Sequence, residues 1–222
     1  MALRPATRYN MRRGHKLNTA PAAEPVTADE FRDHVRDEAM SDSEANTWIA
    51  TARQLIEDNT GLALITQVWD LVFDRWPAGT NEPWWDGVRQ GAISELYGSP
   101  GIIELPRYPL QDVDAVTVYD EGSNATSITV SSFFDIDTYS VRGRMALQSG
   151  STWPVALRPT NAVLIQYTAG YGDDAADVPA PLKLAVKQVA AYLYEHRGDG
   201  CDPKDALSAG MGILNQYAVR EI

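Results

Sequence analysis

Only one cysteine, Cys201, occurs in the 222 residues, which excludes an internal disulfide and a cysteine-rich metal cluster. Histidine is almost as scarce: His15, His34 and His196 are the three present. His15 falls in a basic tail and His34 on the polar side of a short helix. His196 stands at a helix end, where the helix dipole accounts for it. There is no HExxH zinc signature and no Gly-x-Ser-x-Gly nucleophile elbow. No apolar run approaches the roughly 18 residues that a membrane-spanning helix needs. Arg12-Arg13 leads into Gly-His-Lys rather than an apolar stretch, so a secretory or twin-arginine signal is not expected. Basic residues are also outnumbered, nineteen Lys and Arg against thirty Asp and Glu, giving a net charge of −11. That balance disfavours a general nucleic-acid binder, which needs clustered cations to displace counterions.

The 44% of apolar residues, with 22% charged, suffice for a packed core. Charge is unevenly distributed. Arg4, Arg8, Arg12, Arg13 and Lys16 all lie within residues 1–23, where there is no acid. The other fourteen basic residues face all thirty acids, so Glu24–Ile222 carries −16. Such a tail either stays solvated or engages a neighbouring copy, an acidic partner or DNA.

Thr27-Ala-Asp-Glu30 is a capping box that opens a short helix carrying Phe31 and Val35. Ser41-Asp-Ser-Glu44 opens a second, in which Ala45, Trp48, Ile49, Ala52, Leu55 and Ile56 recur at helical spacing. Asn59-Thr-Gly61 ends it. The period then changes to two: Ile65, Gln67, Trp69, Leu71 and Phe73 share one side of a strand. Further strands are expected at 102–105, 113–120, 126–130, 133–139, 143–148 and 162–168, rich in Val, Ile, Thr and Tyr and bounded by turn residues. Asp120-Glu-Gly-Ser-Asn124 reads as a hairpin tip. Helical spacing returns with Leu182, Ala185, Val186, Val189, Ala190 and Leu193, and again with Leu207, Met211, Leu214 and Tyr217 after the start signal Asp202-Pro203. Gly210 and Gly212 weaken that last helix by about 1 kcal/mol each, so a neighbour must shape it.

The two apolar helical stripes need one another. The expected class is therefore α+β, a small domain of about four helices interrupted by an antiparallel β domain of sandwich or small-barrel type. The boundaries are a basic arm at 1–25, helical halves at 26–62 and 173–222, and a β insert at 63–172 containing an extra loop at 77–100. Pro106 and Pro109 cannot donate to a ladder and mark a corner between two sheet positions.

Chemistry is sparse. Asp135 and Asp137 share one face of a strand and allow a carboxylate pair for acid–base hydrolysis, with Asp70 a third candidate; a solvated sheet face explains them as well. Asp173-Asp174 lacks the ligand spacing of an EF-hand, and Gly170-x-Gly172 is not a dinucleotide fingerprint. The 77–100 loop contains Trp84, Trp85 and Tyr97, aromatics suited to anchoring an interface. They also suit packing under their own sheet or stacking on a sugar. No residue is assigned to catalysis, cofactor or metal.

Several stretches taken together carry a resemblance: Val26-Thr-Ala-Asp-Glu-Phe31, the Trp48–Gly61 helix, Leu64-Ile-Thr-Gln-Val-Trp69, Ile103-Glu-Leu-Pro-Arg-Tyr-Pro-Leu110, Gly143-Arg-Met145 with Trp153-Pro154, and Tyr167-Thr-Ala-Gly-Tyr-Gly172. In this order, across roughly 25–197, they resemble the head–tail connector, or adaptor, proteins of tailed bacteriophages and phage-derived gene transfer agents. The resemblance implies a non-enzymatic subunit without cofactor, placed in the neck of a virion or phage-like particle and in the bacterial cytoplasm before assembly. It implies a ring of copies, commonly twelvefold, beneath the portal protein. Such a ring extends the DNA channel, passes DNA without sequence recognition, and docks a tail or stopper component. The basic tail and the 77–100 loop depart from the family's pattern. Interface residues expected on these grounds are Arg4, Arg8, Arg12, Arg13, Lys16, Trp84, Trp85, Tyr97, Met211, Leu214 and Tyr217. The alternatives are a β-rich carbohydrate-binding module and a carboxylate hydrolase.

Overall fold

A computed structural model of the chain describes residues 13–76, 102–149, 151, 154, 158–198 and 202–217. The order is β1 (Arg13–Thr19), α1 (Ala28–Val35), α2 (Asp42–Thr60), β2 (Gln67–Phe73), β3 (Ile102–Glu104), β4 (Leu110–Tyr119), β5 (Ala125–Ile128), α3 (Val130–Phe133), β6 (Phe134–Asp137), β7 (Arg144–Leu147), β8 (Val163–Ala169), α4 (Ala180–Glu195) and α5 (Pro203–Tyr217). The class is α+β, with every strand pairing antiparallel.

The helices begin and end where their caps dictate. Thr27 accepts from Glu30 N at 3.2 Å while Glu30 accepts from Thr27 N at 3.3 Å, the reciprocal bonds of a capping box. Ser41 accepts from Glu44 N to start α2, and Gly61 ends it at φ 82°, a left-handed position that glycine takes without steric penalty. The apolar stripe of α2 (Ala45, Ile49, Ala52, Ile56) is buried with the α4 stripe (Leu182, Ala185, Val186, Val189, Ala190) and with Ala206, Leu207 and Leu214 of α5. Burying a Leu, Ile or Val side chain contributes roughly 1.5–3 kcal/mol, which neither short helix could gain alone. Gly210 is buried, and a Cβ there would lie 3.2 Å from Val189 Cγ2 and 3.4 Å from the Ala185 carbonyl. The glycine that weakens α5 locally is what lets it lie against α4.

One five-stranded sheet runs β1-β2-β8-β4-β5, and a three-stranded sheet runs β3-β7-β6. The alternation read from β2 is present, with Gln67, Trp69, Leu71 and Phe73 buried. Both sheets contribute to one β core, in which Ile103, Phe134 and Met145 of the smaller sheet join Val113, Val116 and Ile165 of the larger. The corner at Pro106 and Pro109 carries the chain from the smaller sheet (β3) into the larger (β4). Within it Tyr108 is buried and donates its hydroxyl to the Thr60 carbonyl at 2.6 Å, so the corner also grips the end of α2.

Residues 13–19 correct the solvated-tail reading. They form β1 at the sheet edge, with Arg13 opposite Phe73, Lys16 opposite Asp70 and Thr19 opposite Val68. Between β5 and β6, where two strands were expected to follow directly, Val130–Phe133 makes one helical turn. Four passages of the chain meet one end of the large sheet: the exits after Thr19 and Ala169 and the entries at Gln67 and Leu110 occupy adjoining registers. Three of these passages lead to or from helices, so the helical half sits at that end.

Candidate interaction surfaces

Where the halves meet, charge is buried. Arg53 and Glu57 of α2 are 6% and 4% exposed. Glu57 Oε2 accepts from Arg53 Nη1 at 2.8 Å, and its Oε1 accepts from Leu64 N at 2.9 Å and Gln67 Nε2 at 2.7 Å. Gln67 in turn accepts from Trp69 Nε1 at 3.2 Å. On its other side Arg53 holds Glu24, with Nε to Oε2 at 2.8 Å. Burial pushes the Glu57 carboxyl above the usual carboxylate range, while the Arg53 guanidinium and the Leu64 and Gln67 donors pull it back. Both of its oxygens face donors, so it is held as a carboxylate with a structural task.

Arg107 adds a second tie. It donates to the Glu57 carbonyl and to Asp58 Oδ1 at 2.7 Å, and its guanidinium lies 4.5 Å from the centre of the Trp69 ring. His15, read as part of a tail, stacks on Trp69 at 4.4 Å and approaches Tyr167 Oη at 2.8 Å through Nε2. Helix α2, the proline corner and β1 thus converge around one tryptophan.

The carboxylates proposed for hydrolysis have other partners. Asp137 accepts from Tyr139 N, Ser140 N, Ser140 Oγ and Arg144 Nε at 2.7–3.1 Å. The Ser140 hydroxyl and Arg144 hold its carboxyl far below the usual range. Asp135 accepts from Gln148 Nε2, and Asp70 from Asn18 and Gln166 on the other sheet. His196 caps its helix, Nδ1 lying 2.9 Å from the Tyr192 carbonyl. Among the described residues no group of three or more His, Cys, Asp or Glu could hold a metal ion, and no helix is long and apolar enough to cross a membrane.

Of the expected interface residues, Arg4, Arg8, Arg12, Trp84, Trp85 and Tyr97 lie outside the described residues. Arg13 opens β1, and Lys16 is exposed on it. Leu214 is corrected: at 1% exposure it belongs to the helical core and offers nothing to a partner. Tyr217 is half-buried against the same core, and Met211, 36% exposed, remains at the surface.

Two surfaces were missed by sequence reasoning. The β6–β7 turn presents Tyr139, fully exposed, and Val141, 63% exposed, on a loop fixed by the four bonds to Asp137. Strand alternation around Asp135 and Asp137 concealed it; the Asp-x-x-Ser spacing was the available signal. The second is a groove of about 750 Å³ between β4 and the α3–β6 segment, where Asp112, Asp114 and Asp135 gather. Two bulges in the β4–β8 pairing, at Leu110/Asp112 and Val113/Ala115, leave Asp112 and Asp114 exposed together. Alternation alone does not reveal them.

This geometry has close counterparts in solved particles. A chain in the neck of an empty gene transfer agent particle, computed with C6 symmetry, superposes with a TM-score of 0.72 at 23% identity, covering 94% of this chain and 97% of that one. The two share one fold. A chain of the native gene transfer agent virion gives 0.72 at 23% identity over 94% and 96%. A chain of the native neck computed with C12 symmetry gives 0.65 at 24% over 93% and 97%. No protein-family model matches the chain, and no curated protein matches it.

Proposed function

We propose that this protein is a structural subunit of the neck of a phage-like particle. In this role it forms a ring with copies of itself beneath the portal, lengthens the DNA channel, and docks the next neck or tail component. The observation that carries the reading is the end-to-end likeness to neck chains: 94% of this chain and 97% of that chain superpose, so the helical and β halves keep one mutual arrangement. The counterparts come from necks computed with C6 and C12 symmetry, which supports a closed ring. A ring needs two different patches that meet head to tail and close after a whole number of copies. The fixed Tyr139–Val141 turn and the exposed Met211 are available for such contacts. The −16 carried by Glu24–Ile222 fits a channel wall that repels phosphate and lets a genome slide. The charged groups nearest to an active-site pattern are engaged in holding turns and the seam between halves, which favours a structural role over a hydrolytic one.

Electron microscopy of the purified protein mixed with its portal protein tests the proposal. The expected result is a ring of this chain seated on one face of the portal. A monomer that ignores the portal and binds sugar instead would replace it with the carbohydrate-binding reading.

A further inference from the structure

The groove beside β4 is an open sheet edge. β5 pairs with β4 only from Val116↔Ile128 to Tyr119↔Ala125, and no described strand pairs with Leu110–Ala115 on that side. Among the described residues no strand takes the ladder position that a longer β5 would occupy beside the groove. An uncovered edge offers unpaired backbone donors and acceptors to an extended segment. This one also gathers three carboxylates, Asp112, Asp114 and Asp135, and among the described residues no Lys, Arg or His lines it.

The chain contains a segment of matching chemistry. Residues 1–12 precede β1 and include Arg4, Arg8 and Arg12 without an acid. Side chains alternate along an extended segment, so residues four apart share one face. Pro5 cannot donate to a ladder but is tolerated in an edge strand.

Register indicates whose groove is filled. Arg13 pairs with Phe73, Phe73 with Val163, and Val163 with Val118. Arg13, where the described chain begins, therefore lies at the Val118 end of the sheet, on the edge opposite β5. The groove lies at the Asp112 end, three strand positions away. To enter its own groove the arm would have to reverse and cross a sheet face, whereas a neighbouring copy can present its edge directly ahead. We propose that residues 1–12 of one copy lie along the β4 edge of the next as an added strand, their arginines facing Asp112, Asp114 and Asp135. The proposal rests on the ring reading, since only a head-to-tail contact gives every copy one arm and one filled groove.

The test uses a labelled synthetic peptide of residues 1–12. The receptor is the full chain with its own arm reversed in charge (Arg4→Glu, Arg8→Glu, Arg12→Glu) so that its groove stays free. Fluorescence anisotropy should show binding that weakens with added salt and falls about tenfold or more when Asp112→Asn, Asp114→Asn and Asp135→Asn are introduced, as three surface ion pairs are lost. Circular dichroism checks that both receptors are folded. Absence of peptide binding at low salt overturns the proposal, as does binding indifferent to the three substitutions. In parallel, a photo-crosslinker at Tyr9 is placed in mixed light and heavy copies of the otherwise unaltered chain. Expected are light–heavy links to residues 110–115 or 127–136; links confined to one isotope would mean that the arm folds onto its own copy and would overturn the proposal. Native mass spectrometry of the same mixtures separates the two readings. Rings whose arms link elsewhere remove the arm contact alone, whereas peptide capture without rings at any concentration removes the ring.

Discussion

The two cores of this molecule are built in different ways. The β core draws, among the described residues, on positions between Ala63 and Ala169, one continuous stretch of the sequence. The helical core unites pieces from opposite ends of the sequence, Val26 to Ile65 and Val178 to Leu214, joined among the described buried residues by Tyr108 from between. The β core is specified by alternation along each strand and by neighbouring registers. The helical core must in addition bring the two chain segments together in one orientation, and beside it lie the buried charges: Arg53 and Glu57 face the seam. The lesson is that apolar surface supplies cohesion in both halves, while a directional polar network running from Glu24 through Arg53 and Glu57 to Leu64 and Gln67 aligns α2 with the strand that follows it.

The most severe way to break that contrast is Arg53→Met. It leaves the Glu57 carboxylate buried without its cation, a loss of about 3–5 kcal/mol for one partner of a buried pair. Urea unfolding should show a much lower midpoint, whereas Arg144→Met at the exposed Asp137 pair should move it only slightly, because solvent screens that pair. Equal costs at the two sites would remove the distinction.

A smaller effect separates the two α5 glycines. Gly210→Leu would drive a side chain into Val189 and the α4 backbone, for which overpacking costs about 1–3 kcal/mol. Gly212 has open space around its Cβ position, and Gly212→Ala should raise stability by about 1 kcal/mol through helix propensity. Thermal unfolding of the two variants should move in opposite directions.

The smallest effect concerns pH. Asp137 has a folded-state pKa below its unfolded value, so its contribution is complete above the usual carboxylate range and is lost as pH falls toward the depressed value. Stability measured from pH 5 downward should fall less steeply in Asp137→Asn than in the unaltered chain. Identical slopes would mean that the turn gains nothing from the charge.

Much of this was legible in the residues. The caps at Thr27, Ser41 and Gly61, the helical stripes, the strand positions and the proline corner follow from local rules, and the structure places them within a few residues of expectation. β1 was not legible, because Gly14, His15, Lys16 and Asn18 make a poor strand by themselves. Its pairing is imposed by the free edge of β2 and the ring of Trp69. The role of Gly210 was hidden for a related reason: propensity describes one helix, and closeness to a second helix is not written in it. Leu214 was misjudged as a contact residue because an apolar stripe does not say whether its partner lies in the same chain. The groove required two bulges, and only the partner strand determines those.

The meeting of four chain passages at one end of the large sheet has a mechanical consequence. Load transmitted between the halves divides among neighbouring strands β1, β2 and β8, cross-linked by their ladders, instead of hanging on a single linker. A tug on the β half is then shared by three load paths. The halves should tilt as one stiff unit before any single strand peels away.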